Sequence, residues 1–257
     1  MIPFPSGRPM MVAGPTGCGK TAWVTKLLQT TGAFKERVAS VLYCYGVHQR
    51  AYEGMKRSIR DIQFRPGLPT EETLTDMNDG RFHVVILDDL MEQIVDSKQA
   101  QMLFTKFCHH YNITAIFITQ NVLAQGKCAR NISLNTQILV LFENHRDRNQ
   151  ITYIARQQSP RDPDLFLSAF EDATSKKPYH CLVVDCTPEC PEDYRWRTNV
   201  LPGEGTFKHY STTRTRRSRK RLVVHRDGGR GGPSTSGGNK SDDSDEESED
   251  DDDEDTD

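Results

Sequence analysis

The stretch Gly14-Pro15-Thr16-Gly17-Cys18-Gly19-Lys20-Thr21 follows the pattern G-x-x-x-x-G-K-T. In a loop of this kind glycines let successive N–H groups curl around a β-phosphate. The lysine reaches the β/γ oxygens, and the threonine hydroxyl meets Mg²⁺. The flanks agree with that reading. Met10-Met11-Val12-Ala13 is a short apolar run that suits a strand, and Trp23, Val24, Leu27 and Leu28 recur at helical spacing up to Gln29. Strand, loop and helix in that order aim the N-terminus of a helix at the phosphates. All eight loop residues are therefore expected to bind nucleotide.

A second segment, Val84-Val85-Ile86-Leu87-Asp88-Asp89, is four apolar residues ending in two acids. It reads as a buried strand that delivers carboxylates to the loop edge. Asp88 then belongs to the Mg²⁺ shell, and Asp89 orients or deprotonates the attacking water. Acids here also suit the cap of a helix starting near Leu90. One strand, Val38–Tyr45, is expected between the two motifs. That layout matches ATPases with an inserted strand and a separate catalytic acid, rather than nucleotide kinases, where the two motif strands lie side by side. A third apolar run, Ile113 to Thr119, ends in Gln120. In the inserted-strand layout it falls between the other two strands, so Gln120 is the expected γ-phosphate sensor.

The rest of the body alternates in the same way. Ile138–Phe142 and Leu182–Asp185 read as further strands. Ala100, Leu103, Phe104, Phe107 and Tyr111 mark an amphipathic helix from Ser97 to Tyr111 with Ser97 as N-cap. Asp164 to Glu171 reads as another helix. The expected fold class is α/β: a three-layer P-loop NTPase with a mostly parallel central sheet of the additional-strand, catalytic-acid type. It occupies residues 1–198. From Asn199 large apolar residues thin out, and 199–257 reads as a disordered tail, basic and then acidic. The cluster Arg214, Arg216, Arg217, Arg219, Lys220 and Arg221 suits nuclear import or nucleic-acid contact.

Charge is unevenly distributed. The last seventeen residues hold thirteen Asp or Glu, and without them the formal charge turns from −3 to +10. A basic body points to an acidic partner, with nucleic acid foremost. His48 to Arg57, with Tyr52 interleaved among basic residues, suits either backbone contact with DNA or a solvated helix face. Seven cysteines, an odd number, and no apolar leader in Met1 to Met10 suggest a reducing intracellular compartment. No apolar run is long enough to span a membrane. Cys181, Cys186 and Cys190 beside His180 lack the usual spacing of a zinc site and read as structural. His109 and His110 suit a helix C-terminus, and Trp23 and Phe107 the core.

The segment from Arg81 to Pro160 carries more particular signals: His109-His110, Ile118-Thr119-Gln120-Asn121, Arg130-Asn131-Ile132-Ser133-Leu134-Asn135 and Arg156-Gln157. With Tyr45-Gly46, Gln49 and Gly67-Leu68-Pro69, it resembles the DNA-packaging ATPases of the FtsK–HerA superfamily. The resemblance is greatest to those of Polinton (Maverick) elements, adintoviruses and related eukaryotic DNA viruses, and covers about residues 8–200. It implies an ATP- and Mg²⁺-dependent ring that pulls double-stranded DNA through a pore into a capsid, with a capsid or portal-like partner, in the host nucleus or virion. Carried over by position, Lys20 and Thr21 hold nucleotide, Asp88 the metal and Asp89 the water, where the superfamily often has Glu. Gln120 senses the γ-phosphate. An arginine from a neighbouring subunit completes such sites; Arg130 is the first candidate, and Arg146 and Arg148 compete. A helicase or remodeller of the same superfamily and a non-catalytic nucleotide-binding adaptor from a domesticated element are the rivals. A small-molecule kinase fits less well, because no Arg-rich lid follows the phosphate loop.

Overall fold

A computed structural model describes residues 2–123, 126–175, 178–214 and 220–227. The first half alternates strand and helix: β1 (Met10–Ala13), α1 (Lys20–Gln29), β2 (Val38–Tyr45), α2 (Ala51–Ser58), β3 (Ile62–Pro66), α3 (Glu71–Asp76), β4 (Phe82–Asp88) and α4 (Met91–Ile94). Then come α5 (Lys98–Met102), a wider π turn over Leu103–Phe107, α6 (Cys108–His110), β5 (Ile113–Thr119), α7 (Lys127–Asn135) and β6 (Ile138–Phe142). The remainder is α8 (Asn149–Gln158), α9 (Pro163–Thr174), β7 (Cys181–Asp185), a single 3₁₀ turn over Glu192–Tyr194, β8 (Trp196–Thr198), β9 (Lys208–Arg214) and β10 (Lys220–Arg226).

One ten-stranded sheet runs in the order β10-β9-β8-β7-β6-β1-β5-β4-β2-β3. From β3 to β6 every pairing is parallel; from β6 to β10 every pairing is antiparallel. The strands of the parallel part are short apolar runs because helices cover both faces. Alternate side chains then feed two cores. Met10, Val12, Ile86 and Ile116 join Trp23, Val24 and Leu27 of α1 and Tyr52 and Met55 of α2 on one face. Met11, Ala13, Leu87 and Phe117 join Leu103, Phe104, Phe107, Ile132 of α7 and Phe166 of α9 on the other. The fold is therefore the expected three-layer α/β P-loop NTPase arrangement. Strand β5 lies between β1 and β4, as the inserted-strand layout requires.

Ser97 caps its helix as expected, its hydroxyl accepting from the Ala100 N–H at 3.1 Å. The helix is not regular throughout: the π turn widens it where Leu103, Phe104 and Phe107 are all buried. Three differences from the sequence reading concern strands. Strand β3 pairs with β2 at the sheet edge, so two strands, not one, separate the nucleotide motifs along the chain. β8 adds three residues beside β7. The third difference is at the boundary placed after residue 198: β9 and β10 continue the sheet beyond it. Val200 and Leu201 are buried in one core, and Tyr210 in the other. Arg214 and Lys220 pair across the end of the β9–β10 hairpin. Arg216, Arg217 and Arg219, and the acidic run, lie outside the described residues. Among the described residues no helix is long and apolar enough to cross a membrane.

Candidate nucleotide site

Register brings the three motif ends together. Ala13 is level with Thr119, and Asp88 with Ile118. Gly14, Gln120 and Asp89, each one residue further, therefore leave the same sheet edge from three consecutive strands, and the Gly14 N–H donates to the Thr119 carbonyl at 3.3 Å.

The loop itself winds into the N-terminus of α1. Gly19 caps that helix at φ 98°, a conformation only glycine adopts without strain. The Lys20 ammonium folds back over the loop and donates to the carbonyls of Gly14 (2.7 Å) and Pro15 (2.8 Å). Those bonds hold it where an anionic oxygen would compete for its protons. Lys20 also lies 3.9 Å from the Cys18 thiol, whose pKa burial raises although the ammonium opposes the shift.

Asp88 ends β4, 4 % exposed. Two phenols that sequence reasoning did not assign to the site brace it. The Tyr43 hydroxyl of β2 donates to Asp88 Oδ2 at 2.5 Å, and the Tyr52 hydroxyl of α2 approaches the same oxygen at 3.5 Å. Burial raises the Asp88 pKa, and the neighbouring Asp89 adds to the rise; the Tyr43 bond and the Lys20 charge pull it back. Burial first, and then the Asp88 charge, push the Tyr43 and Tyr52 phenols up, so both remain donors. The sequence reading leaves Tyr52 in a basic segment suited either to contact with DNA or to a solvated helix face. The structure turns it inward, fully buried, stacked on Phe64 at 5.0 Å between centroids. Arg50, Glu53, Lys56 and Arg57 remain exposed. Period-two alternation in β2 was the available signal for Tyr43: it shares a face with Val41, and its hydroxyl reaches the tip of the adjacent strand.

Asp89 is exposed and has left the strand, with φ 55°. Its carbonyl presses on Gly46: a Cβ there would lie 2.1 Å from that oxygen, so only glycine fits. The second acid is thereby separated from the first, one buried and one facing solvent.

Gln120 is exposed directly after β5. The loop that follows is tied to α8 by Gln150, 8 % exposed. Gln150 accepts from the Val122 N–H at 2.8 Å and donates to Asn121 Oδ1 (2.9 Å) and Asp147 Oδ2 (2.7 Å). An amide on the buried face of an amphipathic helix was its only sequence signal, and no motif flagged it. Beside this network a cleft of about 930 Å³ is lined by Asn121, Leu123, Asp147, Gln150, Tyr153 and Arg156, among others. Of the arginines read as partners of a neighbouring subunit's site, Arg130 sits midway along α7, Arg146 in the loop after β6 and Arg148 at the start of α8. All three are exposed.

Thr16 and Gly17 at the loop's apex are exposed, and Pro15, Cys18, Lys20 and Thr21 half-buried, so the cradle opens to solvent. A hydroxyl and a carboxylate beside a phosphate cradle are the hard oxygen donors that suit Mg²⁺. Cys181 and Cys190, by contrast, are buried free thiols. Among the described residues no three His, Cys, Asp or Glu side chains are grouped to hold a metal by themselves.

No protein-family model matches the chain, and neither does any curated protein. Solved structures do. The DNA-packaging ATPase B204 from Sulfolobus turreted icosahedral virus superposes with a TM-score of 0.49 at 15 % identity, over 72 % of this chain and 94 % of that one. The genome packaging NTPase B204 from Sulfolobus turreted icosahedral virus 2 in complex with ATP-gammaS gives 0.47 at 11 % identity, over 70 % and 93 %. The flagellar accessory protein FlaH from Methanocaldococcus jannaschii gives 0.36 at 14 % identity, over 56 % and 76 %.

Proposed function

We propose that this chain is an ATP-hydrolysing motor that translocates double-stranded DNA, as a homo-oligomeric ring that packages a viral or transposon genome into a capsid in the host nucleus or the virion. The observation that supports it most is the exit of Gly14, Asp89 and Gln120 from one sheet edge on three consecutive strands. The resemblance of the Gln120-Asn121 and Arg130-to-Asn135 segments to packaging ATPases supports the choice of DNA as the track.

In this reading the backbone N–H groups from Gly14 to Thr21 cradle the triphosphate, and Lys20 exchanges its two carbonyl partners for β/γ oxygens. Thr21 and Asp88 hold Mg²⁺, which neutralises charge developing on the transferring phosphate. Tyr43 and Tyr52 fix the Asp88 carboxylate. Asp89, outside the buried strand, takes the proton of the attacking water or orients it. Gln120 registers whether the γ-phosphate is present. Its loop passes that state through Asn121 and Gln150 to Asp147, in the segment that bears Arg146 and Arg148. An arginine from the adjacent subunit, Arg130 first, completes charge stabilisation; such residues contribute about 10³–10⁵ in rate. The exposed Lys56 and Arg57 of α2, the helix whose Tyr52 meets Asp88, and Arg50 at its N-cap suit contact with phosphates of the duplex.

The test is ATP turnover by the full chain with and without double-stranded DNA, at rising salt. Stimulation by duplex, lost steeply as salt displaces phosphate contacts, is expected, with no strand separation. Unwinding of the duplex would favour a helicase, and nucleotide binding without turnover an adaptor.

A further inference from the structure

We infer that Tyr179 is the platform on which the base of the nucleoside triphosphate stacks. The inference rests on the nucleotide reading above and extends it to the other end of the ligand. Gln120 and Asp88 lie on the β5–β4 flank of the phosphate loop. The γ-phosphate therefore belongs on that side, and the nucleoside must leave across the opposite flank, over β6 and β7. Because β7 runs antiparallel to β6, with Cys181 level with Phe142, the residues just before β7 stand at the same sheet edge as the phosphate loop. Tyr179 is there.

Two features set Tyr179 apart from an ordinary surface tyrosine. The residue is 67 % exposed, yet its side chain packs against the loop: a Cβ on Gly19 would lie 3.1 Å from Tyr179 Cδ1 and 3.3 Å from its Cβ. Gly19 therefore serves two ends, the left-handed turn into α1 and room for this ring. The backbone at Tyr179 is also left-handed, φ 67°, a conformation that is uncommon for a bulky side chain and costs free energy. An aromatic ring anchored on one edge by the residue before Lys20 and open to solvent on the rest is built for stacking, which is tolerant of base identity but needs a π-face.

Affinities of the full chain for ATP and for inorganic tripolyphosphate, both with Mg²⁺, test this by calorimetry. Tyr179→Ala should weaken ATP about tenfold or more and leave tripolyphosphate unchanged. Tyr179→Phe should keep wild-type affinity for ATP. Tyr179→Trp should keep it too, with indole emission that responds to ATP and not to tripolyphosphate. Unchanged ATP affinity in Tyr179→Ala, or an equal loss for both ligands, would overturn the platform and leave the phosphate site standing. A wild-type chain that binds neither ligand would overturn the nucleotide reading, and the platform with it.

Discussion

The parallel and antiparallel halves of the sheet are buried by different means. Strands β1, β4, β5 and β6 are apolar almost throughout; their one acid, Asp88, stands at the carboxyl tip of β4, and His83 is buried near the start of the same strand. The half from β7 to β9 buries Asp185, Arg197, Thr198, His209 and Ser211. Arg197, with no exposed surface, donates to Asp185 Oδ2 at 2.8 Å and to the Tyr194 carbonyl at 2.9 Å, and lies 5.1 Å over the Phe4 ring. Tyr210 donates to Asp172 at 2.8 Å. Non-directional apolar burial in the first half leaves its strand tips free to gather charge. In the second half directional polar bonds are themselves part of the core, and each lost partner strands another. Chemistry and stability should therefore separate on substitution.

The largest effect expected is at Lys20. Lys20→Ala should abolish measurable ATP turnover, a loss of at least about 10³-fold, since one electrostatic partner of a transition state contributes about 10²–10³ and ground-state binding goes too. The thermal midpoint should stay near wild type, because among the described residues the ammonium bonds to its own loop. Full turnover in this variant would dissociate the loop from the chemistry. Asp89→Asn comes next: ATP should still bind, while hydrolysis falls by about 10²-fold or more, read by single-turnover quench against an equilibrium binding measurement. Equal losses in binding and turnover would place Asp89 in the cradle rather than at the water.

The opposite pattern is expected from Arg197→Met. Removing one member of a buried ion pair costs about 3–5 kcal/mol, which for a body of this size lowers the melting midpoint by about 6–20 °C. ATP turnover per folded molecule at low temperature should not change. Replacing both partners, Arg197→Met with Asp185→Leu, should recover part of the loss, because no charge is left unpaired, although the buried Thr187 N–H and hydroxyl lose Asp185 Oδ1 as acceptor. A turnover defect that persists in the double variant would tie the antiparallel half to the chemistry and remove the division between the two halves.

How much of this was legible in the sequence divides along the same line. Met10–Ala13, Val38–Tyr45, Ile113–Thr119 and Ile138–Phe142 have the boundaries their apolar runs suggest, since a strand covered on both faces needs an unbroken run. The three tips are legible for a related reason: phosphate loops and strand-end acids are local patterns. What lay outside local pattern was missed. Strand β3 is a half-exposed edge ending in proline, with little apolar signal. β9 and β10 are dominated by polar residues, and among their described side chains Tyr210, Leu222 and Val224 pack on the core, so a composition rule reads them as tail. Tyr43, Tyr52 and Gln150 are the same kind of miss. Each acts on a residue 28 or more positions away, so its partner is disclosed by the tertiary arrangement and not by local pattern.

Asp88 offers the finest test of the comparison, because it is the one acid at the strand tips that pays a burial cost like those of the antiparallel half. Its pKa in the folded chain is raised, chiefly by desolvation. The folded state therefore holds this proton to higher pH than the unfolded chain does. The stabilisation that protonation supplies is complete below the ordinary carboxylate value and is lost as pH rises through the raised folded value. At neutral pH the ionised group is a net burden without a cation. Asp88→Asn keeps a carbonyl oxygen for the Tyr43 hydroxyl and removes the charge, so in the absence of nucleotide and Mg²⁺ it should melt above wild type. Stabilising substitutions commonly add ~0.5–2 kcal/mol. The gap should open with rising pH and close in acid, while Mg²⁺-dependent turnover disappears. Melting curves from acid to neutral pH that run parallel for the two proteins would mean that Tyr43 and Lys20 already offset the burial, and that the parallel half carries no such strain at its tip.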